Sequence, residues 1–326
     1  MPAVNILIAG QSFAQALFNA PEAKAAFLAE FTRADYTVNF TYFAAGGTSA
    51  LKEHCRSDYP TGYWWDYDLD QPGPMLTGAI ASINASANKP TKIIWLQGEQ
   101  DSTVSTVSPS RFQCASHSIV SALRIACQPT APLGVGVFLH RIGRRILAGT
   151  PWPGVQIVRE AQIAMDSADP AVFGFDTYDL TLLGDDPRYP GDNVNSHMET
   201  LGNSELGFRA AQRILMSLGK PARVAPSISL VERIAPDKIR LTFSYSTGLV
   251  KPTTPAHIVI RAGSTVDSNL SFSWIGNQLE VTASCPFAPG SVLLTPYGEL
   301  NEIDRPNLIR DLYRQPLQST ALTIPD

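Results

Sequence analysis

A serine at position 12 follows the apolar run NILIAG through Gly10 and Gln11 and precedes a helix-like stretch. At a helix N-terminus, unpaired N–H groups and the helix dipole favour a developing negative charge, which suits a nucleophile. The plainer use of a serine there is to cap the helix. A second apolar run ends in Ala44-Ala45-Gly46-Gly47-Thr48-Ser49. Its paired glycines allow a tight backbone whose N–H groups can turn toward an oxyanion. A third run ends in Trp95-Leu96-Gln97-Gly98-Glu99-Gln100-Asp101. Polar groups crowded against a buried strand end need partners. The Gln97 amide can donate to an oxyanion, and Glu99 and Asp101 can orient neighbours. Residues 184–197, GDDPRYPGDNVNSH, bring His197 next to a helix start, with Asp185, Asp186 and Asp192 nearby. A base oriented by an acid is what an otherwise unreactive serine hydroxyl requires.

These residues sit in a regular frame. Residues 5–10, 37–45, 92–98, 133–140 and 172–177 are expected to be strands. The first, third and fourth are nearly continuous apolar segments, as parallel strands covered on both faces require. Residues 110–127 and 201–218 carry apolar positions at helical spacing, the second ending at Gly219 with Pro221 beyond. Repeated strand–helix alternation predicts a three-layer, doubly wound, mostly parallel α/β domain over residues 1–221. In open parallel sheets ligands bind beyond the carboxyl ends of strands, where the three polar segments fall. From residue 222 to 326 the pattern changes to short strands at 227–231, 238–244, 257–261, 270–274, 279–282 and 291–295, separated by turn residues. A β-rich, sandwich-like accessory domain is expected there.

Gly10-Gln11-Ser12, Gly46-Gly47-Thr48-Ser49 and Trp95-x-Gln97-Gly98-Glu99-x-Asp101 occur in that order, followed by His197 with Gly202 five residues on. The ordered set resembles the SGNH hydrolases, and within them the sialate O-acetylesterase and acetylxylan esterase-like branch. The resemblance covers about residues 4–218. It implies a serine esterase that removes acetyl or other short acyl groups from a carbohydrate, without metal or organic cofactor. Ser12 would be the nucleophile and His197 the general base. The Ser12 N–H, Gly46 or Gly47, and the Gln97 side chain would form the oxyanion hole, supported by Gln11, Glu99 and Asp101. Two positions depart from the pattern: Phe13 stands where many relatives have Asn, and Val194 where the family has Asp. Asp192 could orient the imidazole instead, as could Asn193, Asn195 or a backbone carbonyl.

The remaining composition bounds the partners. A net charge of −4 over 326 residues, without a basic stripe, gives no case for nucleic acid or an acidic membrane surface. No apolar run is long enough for a transmembrane helix, and the N-terminus lacks a basic signal-type region. A soluble chain without a signal peptide, cytoplasmic or virion-associated, is expected. The four widely spaced cysteines argue against a zinc or redox motif and read as buried free thiols, with one disulfide left open. The segment 63–70, YWWDYDLD, could present Trp64 and Trp65 to sugar rings or bury them as core. The acetylated carbohydrate is the expected partner, and a homo-oligomer is possible. The competing reading is a silent glycan-binding or phage tail-like adhesive component on the same fold.

Overall fold

The computed structural model describes residues 1–143, 146–147, 150–151, 153–180, 194–195, 198, 200–223, 225–244, 248–297, 307–311 and 316–325. His197 and Asp192, with Asp185, Asp186 and Asn193, lie outside the described residues. The chain divides into two compact units, Met1–Ala222 and Arg223–Asp326.

The first unit is organised by strand β1 (Ala3–Gly10). Side chains alternate across a strand, so Ile6 and Ile8 enter one apolar cluster while Leu7 and Ala9 enter another. Helices α1 (Ser12–Asn19), α2 (Pro21–Arg33) and α6 (Thr200–Ser217) cover the first face. Helices α3 (Pro74–Ala85), α4 (Pro109–Cys127) and α5 (Val155–Ala168) cover the second. The remaining strands of this sheet are β2 (Thr37–Ala44), β3 (Lys92–Leu96), β4 (Gly136–Arg141) and β5 (Val172–Asp176). They pair in the order β5-β4-β3-β1-β2, all parallel. From β1 the chain moves outward to β2, then crosses back to β3 on the other side. In such sheets the point of reversal, here between the carboxyl ends of β1 and β3, is the usual ligand position. The expected strands are all present; residues 133–134 instead belong to a short 3-10 turn, Pro132–Gly134.

The second unit contains two four-stranded antiparallel sheets. One joins Ser227–Ala235, Lys238–Ser244, Gln278–Thr282 and Ser271–Ile275 in that order. The other joins Thr265–Asp267, Val259–Ala262, Val292–Thr295 and Thr320–Thr323. Alternation on Lys238–Ser244 sends Ile239, Leu241 and Phe243 into an apolar core with Leu279, Val281 and Leu293. The cysteines depart from expectation: all four are free thiols, but only Cys127 is buried, and Cys114 and Cys285 are exposed. Those two stand on solvent-facing positions that no apolar periodicity governs. Burial pushes the Cys127 thiol up to about 12. No described helix is long and apolar enough to cross a membrane.

The end of β1 is a tight point of the sheet. Gly10 has φ +134°, and a Cβ built there would lie 2.0 Å from the Leu96 carbonyl oxygen on β3. The obstacle is backbone, so side-chain motion cannot relieve it, and the dihedral itself is closed to L side chains. Gly10→Ala is therefore expected to cost at least about 2 kcal/mol of stability through strain and overpacking. Urea denaturation measures this; an unchanged midpoint would show that the β1–β3 junction tolerates a side chain.

Candidate active site

Beyond Gly10 the chain turns into α1, and the Gln11 N–H donates to the Leu96 carbonyl at 2.9 Å. This bond ties the start of the helix to the end of β3. Gln11 is the residue before the helix, and Ser12 is its first residue, not its cap. The Ser12 hydroxyl makes no hydrogen bond to a described residue, and Ser12 is 9% exposed. Serine here is thus free of the capping role that its position would otherwise suggest.

The Gly46–Gly47 turn closes the crevice from the β2 side. A Cβ on Gly46 would lie 2.9 Å from Gln15 Oε1 and 4.0 Å from the Ser12 Cβ, so the absent side chain leaves the backbone open to Ser12. Gly47 has φ +71°, the left-handed region that glycine adopts freely. The turn is held from below. The Thr48 hydroxyl donates to the Ala45 carbonyl at 3.0 Å and accepts from Trp64 Nε1 at 3.3 Å. Asp101, wholly buried, accepts from the Ala50 N–H at 2.8 Å and the Leu51 N–H at 3.1 Å, and meets His54 Nδ1 at 2.9 Å. Its carboxylate thus orients the segment after the glycines. The His54–Asp101 pair has no signature in the sequence, because 47 residues separate its members.

Two expectations need correction. Gln97 is not placed to donate to a substrate: it is 0% exposed. Its Nε2 donates to the Thr48 carbonyl at 2.7 Å and to Gln11 Oε1 at 3.1 Å, which uses both amide hydrogens. Its backbone carbonyl accepts from Gln162 Nε2 at 2.8 Å. Gln97 is a bracket joining the three segments that form the crevice. Trp64 and Trp65 do not face a sugar site. Trp64 is 0% exposed, edge-on to Trp95 at 4.7 Å and to Phe43 at 6.1 Å, and Trp65 is also buried. Large aromatic faces next to a sheet are worth more in the core than on the surface.

Glu99 is buried, and its Oε1 lies 3.3 Å from Nε2 of His140, the penultimate residue of β4. The His140 ring is sealed against Phe13 at 5.5 Å between centroids, with Thr177 Oγ1 3.4 Å from Nδ1. Burial pushes this imidazole from its usual 6.5 down to about 3, the carbonyl of Gln97 opposing the shift weakly. His140 is therefore neutral at ordinary pH and closed to substrate. Val194 lies on a two-residue strand, Val194–Asn195. Met198 is buried in the same apolar cluster as Phe13 and Leu206.

No protein-family model matches the chain. Among solved structures it is similar to a carbohydrate acetylesterase from Xanthomonas citri: 12% identity, covering 98% of this chain and 80% of that chain, with a TM-score of 0.66. Looser likenesses are to NanS (10% identity, 67% and 98% covered, TM-score 0.47) and to an active site mutant of a family two carbohydrate esterase from Clostridium thermocellum (15% identity, 68% and 66% covered, TM-score 0.41). At such identities the first likeness speaks for the fold alone, a parallel α/β sheet followed by β-rich C-terminal strands.

The buried imidazole has a measurable consequence. Between pH 6.5 and about 3 the unfolded chain takes up a proton at His140 that the folded chain refuses. Stability is then present above pH 6.5 and drains as pH falls, by up to about 1.4 kcal/mol per pH unit from this group. His140→Gln is expected to flatten the pH dependence of the urea midpoint between pH 6 and 4. An identical slope in the variant would place the acid sensitivity elsewhere.

Proposed function

We propose that the chain is a serine esterase that removes short acyl groups, acetyl foremost, from a carbohydrate. The observation that carries this reading is the Ser12 hydroxyl: first residue of a helix, without a hydrogen bond to any described residue, at the β1–β3 switch point and facing Gly46. A structural serine in that place would be capping or bonded. The carbohydrate class is supported by the fold shared with the Xanthomonas citri carbohydrate acetylesterase.

In this reading the Ser12 oxygen attacks the ester carbonyl while His197 accepts its proton. The tetrahedral oxyanion is received by the N–H of Ser12 and that of Gly46 or Gly47, near the positive end of the α1 dipole. His197 then returns the proton to the departing sugar oxygen, and water releases the acid by the same steps in reverse. Asp192, or a neutral group of the 193–195 segment, orients the imidazole.

The chain has five histidines, and chemistry narrows the choice of base. His140 is sealed and neutral. His54 is buried on an Asp101 carboxylate already committed to two backbone N–H groups. His257 belongs to the second unit, and His117 lies midway along α4, where its charge acts on Asp169, ahead of the start of β5 and not at the carboxyl ends of the strands. His197 has a buried sequence neighbour, Met198, in the apolar cluster that also holds Phe13, the residue after Ser12.

The test is hydrolysis of p-nitrophenyl acetate and butyrate by the wild type and by Ser12→Ala, His197→Ala and His54→Gln. Loss of one member of a triad-type pair costs about 10⁴-fold or more in kcat. The first two variants should be inactive on acetate, His54→Gln should stay active, and butyrate should turn over poorly. Wild-type activity surviving in Ser12→Ala would overturn the proposal.

A further inference from the structure

The hydrogen-bond chain that disqualifies Gln97 as an oxyanion donor points to another. A backbone carbonyl can only accept, so the Gln97 atom 2.7 Å from the Thr48 oxygen must be its nitrogen. That nitrogen donates, so the Gln11 atom facing it at 3.1 Å must be its oxygen. The backbone N–H of Gln100 reaches the same Gln11 atom at 3.3 Å, and an N–H can only donate. Two independent donors thus fix the orientation of the Gln11 amide. Its Nε2, with two hydrogens, is left pointing away from both.

Among the described residues no acceptor takes those hydrogens, although Gln11 is 1% exposed. The little surface that Gln11 keeps includes this donor end. An amide that is nearly buried and held by its oxygen alone leaves hydrogen bonding to be recovered from solvent or a ligand. This one immediately precedes Ser12.

We propose that the Gln11 side chain, and not that of Gln97, is the third oxyanion donor, its Nε2–H joining the backbone N–H groups of Ser12 and the Gly46–Gly47 turn. The inference rests on the esterase reading of Ser12. Gln97 then acts through Gln11 as a positioning residue: it aims the donor before the reaction, so no reorganisation is needed as charge develops. Low local polarity strengthens the bond to the anion relative to the neutral carbonyl, which makes the contribution specific to the transition state.

Gln11→Glu tests this directly. The carboxylate keeps an acceptor for Gln97 and Gln100 but replaces the donor with an oxygen that repels the oxyanion. On p-nitrophenyl acetate kcat should fall about 100- to 1000-fold or more, with KM within about threefold of wild type. Gln11→Ala, which buries no charge, should show the same split and serves if the glutamate variant folds poorly. Affinity for methylboronic acid, which forms a tetrahedral anion on a serine oxygen, should weaken in step with kcat in both variants. A kcat within fivefold of wild type in a folded Gln11 variant, while Ser12→Ala is inactive, overturns the Gln11 assignment and leaves the esterase reading standing. Activity that survives Ser12→Ala removes both, and that control alone separates the two failures.

Discussion

The close approach of Gly10 to the Leu96 carbonyl is the constraint on which the site depends. A side chain at residue 10 would collide with backbone, so the first strand can meet the third at full depth only through glycine. The next residue then uses its N–H on that same carbonyl, and the helix begins one residue later with Ser12 at its head. Sheet topology supplies the opening and one glycine sets the distance across it. Without that approach the Gln11 and Gln97 amides would not be in reach of each other.

Around this junction runs a polar lattice inside an apolar frame. Gln97 bonds to both Gln11 and Thr48 across the three strand ends, Gln162 bonds the Gln97 backbone carbonyl, and Asp101 clamps the segment after the glycines. Buried polar groups are costly unless each finds a partner, and fully partnered they fix a single arrangement. The lattice therefore does for the loop backbones what side-chain packing does for the strands. Sites on loops are imprecise unless such a shell supports them.

Much of the first unit was legible because its strands are apolar on both faces, a pattern few other structures produce. The β1 and β3 runs and the α4 and α6 periodicities fall within a residue or two of their observed bounds at most ends. Helices α2 and α3 carry weaker signals: α3, for example, is apolar around most of its circumference and offers no clear stripe. The site was legible as a set of segments but not as roles. Sequence places Gln11 and Gln97 equally near a strand end, and only the direction of their hydrogen bonds separates a donor from a bracket. Trp64 and Trp65 misled for a similar reason, since aromatic density next to acids says nothing about which way the rings turn. The Thr48 and Trp95 contacts that settle it come from segments 16 and 31 residues away.

The central claim is that Ser12 is a nucleophile at the head of α1. The most direct measurement is reaction with a fluorophosphonate, followed by mass spectrometry of the peptide containing Gly10 to Phe13. A single phosphonyl adduct on Ser12, suppressed by acetylated glycan and absent after mild acid unfolding, is the expected result. An unmodified Ser12 under conditions that label a reference serine esterase would contradict the account, leaving the fold intact but its chemistry elsewhere.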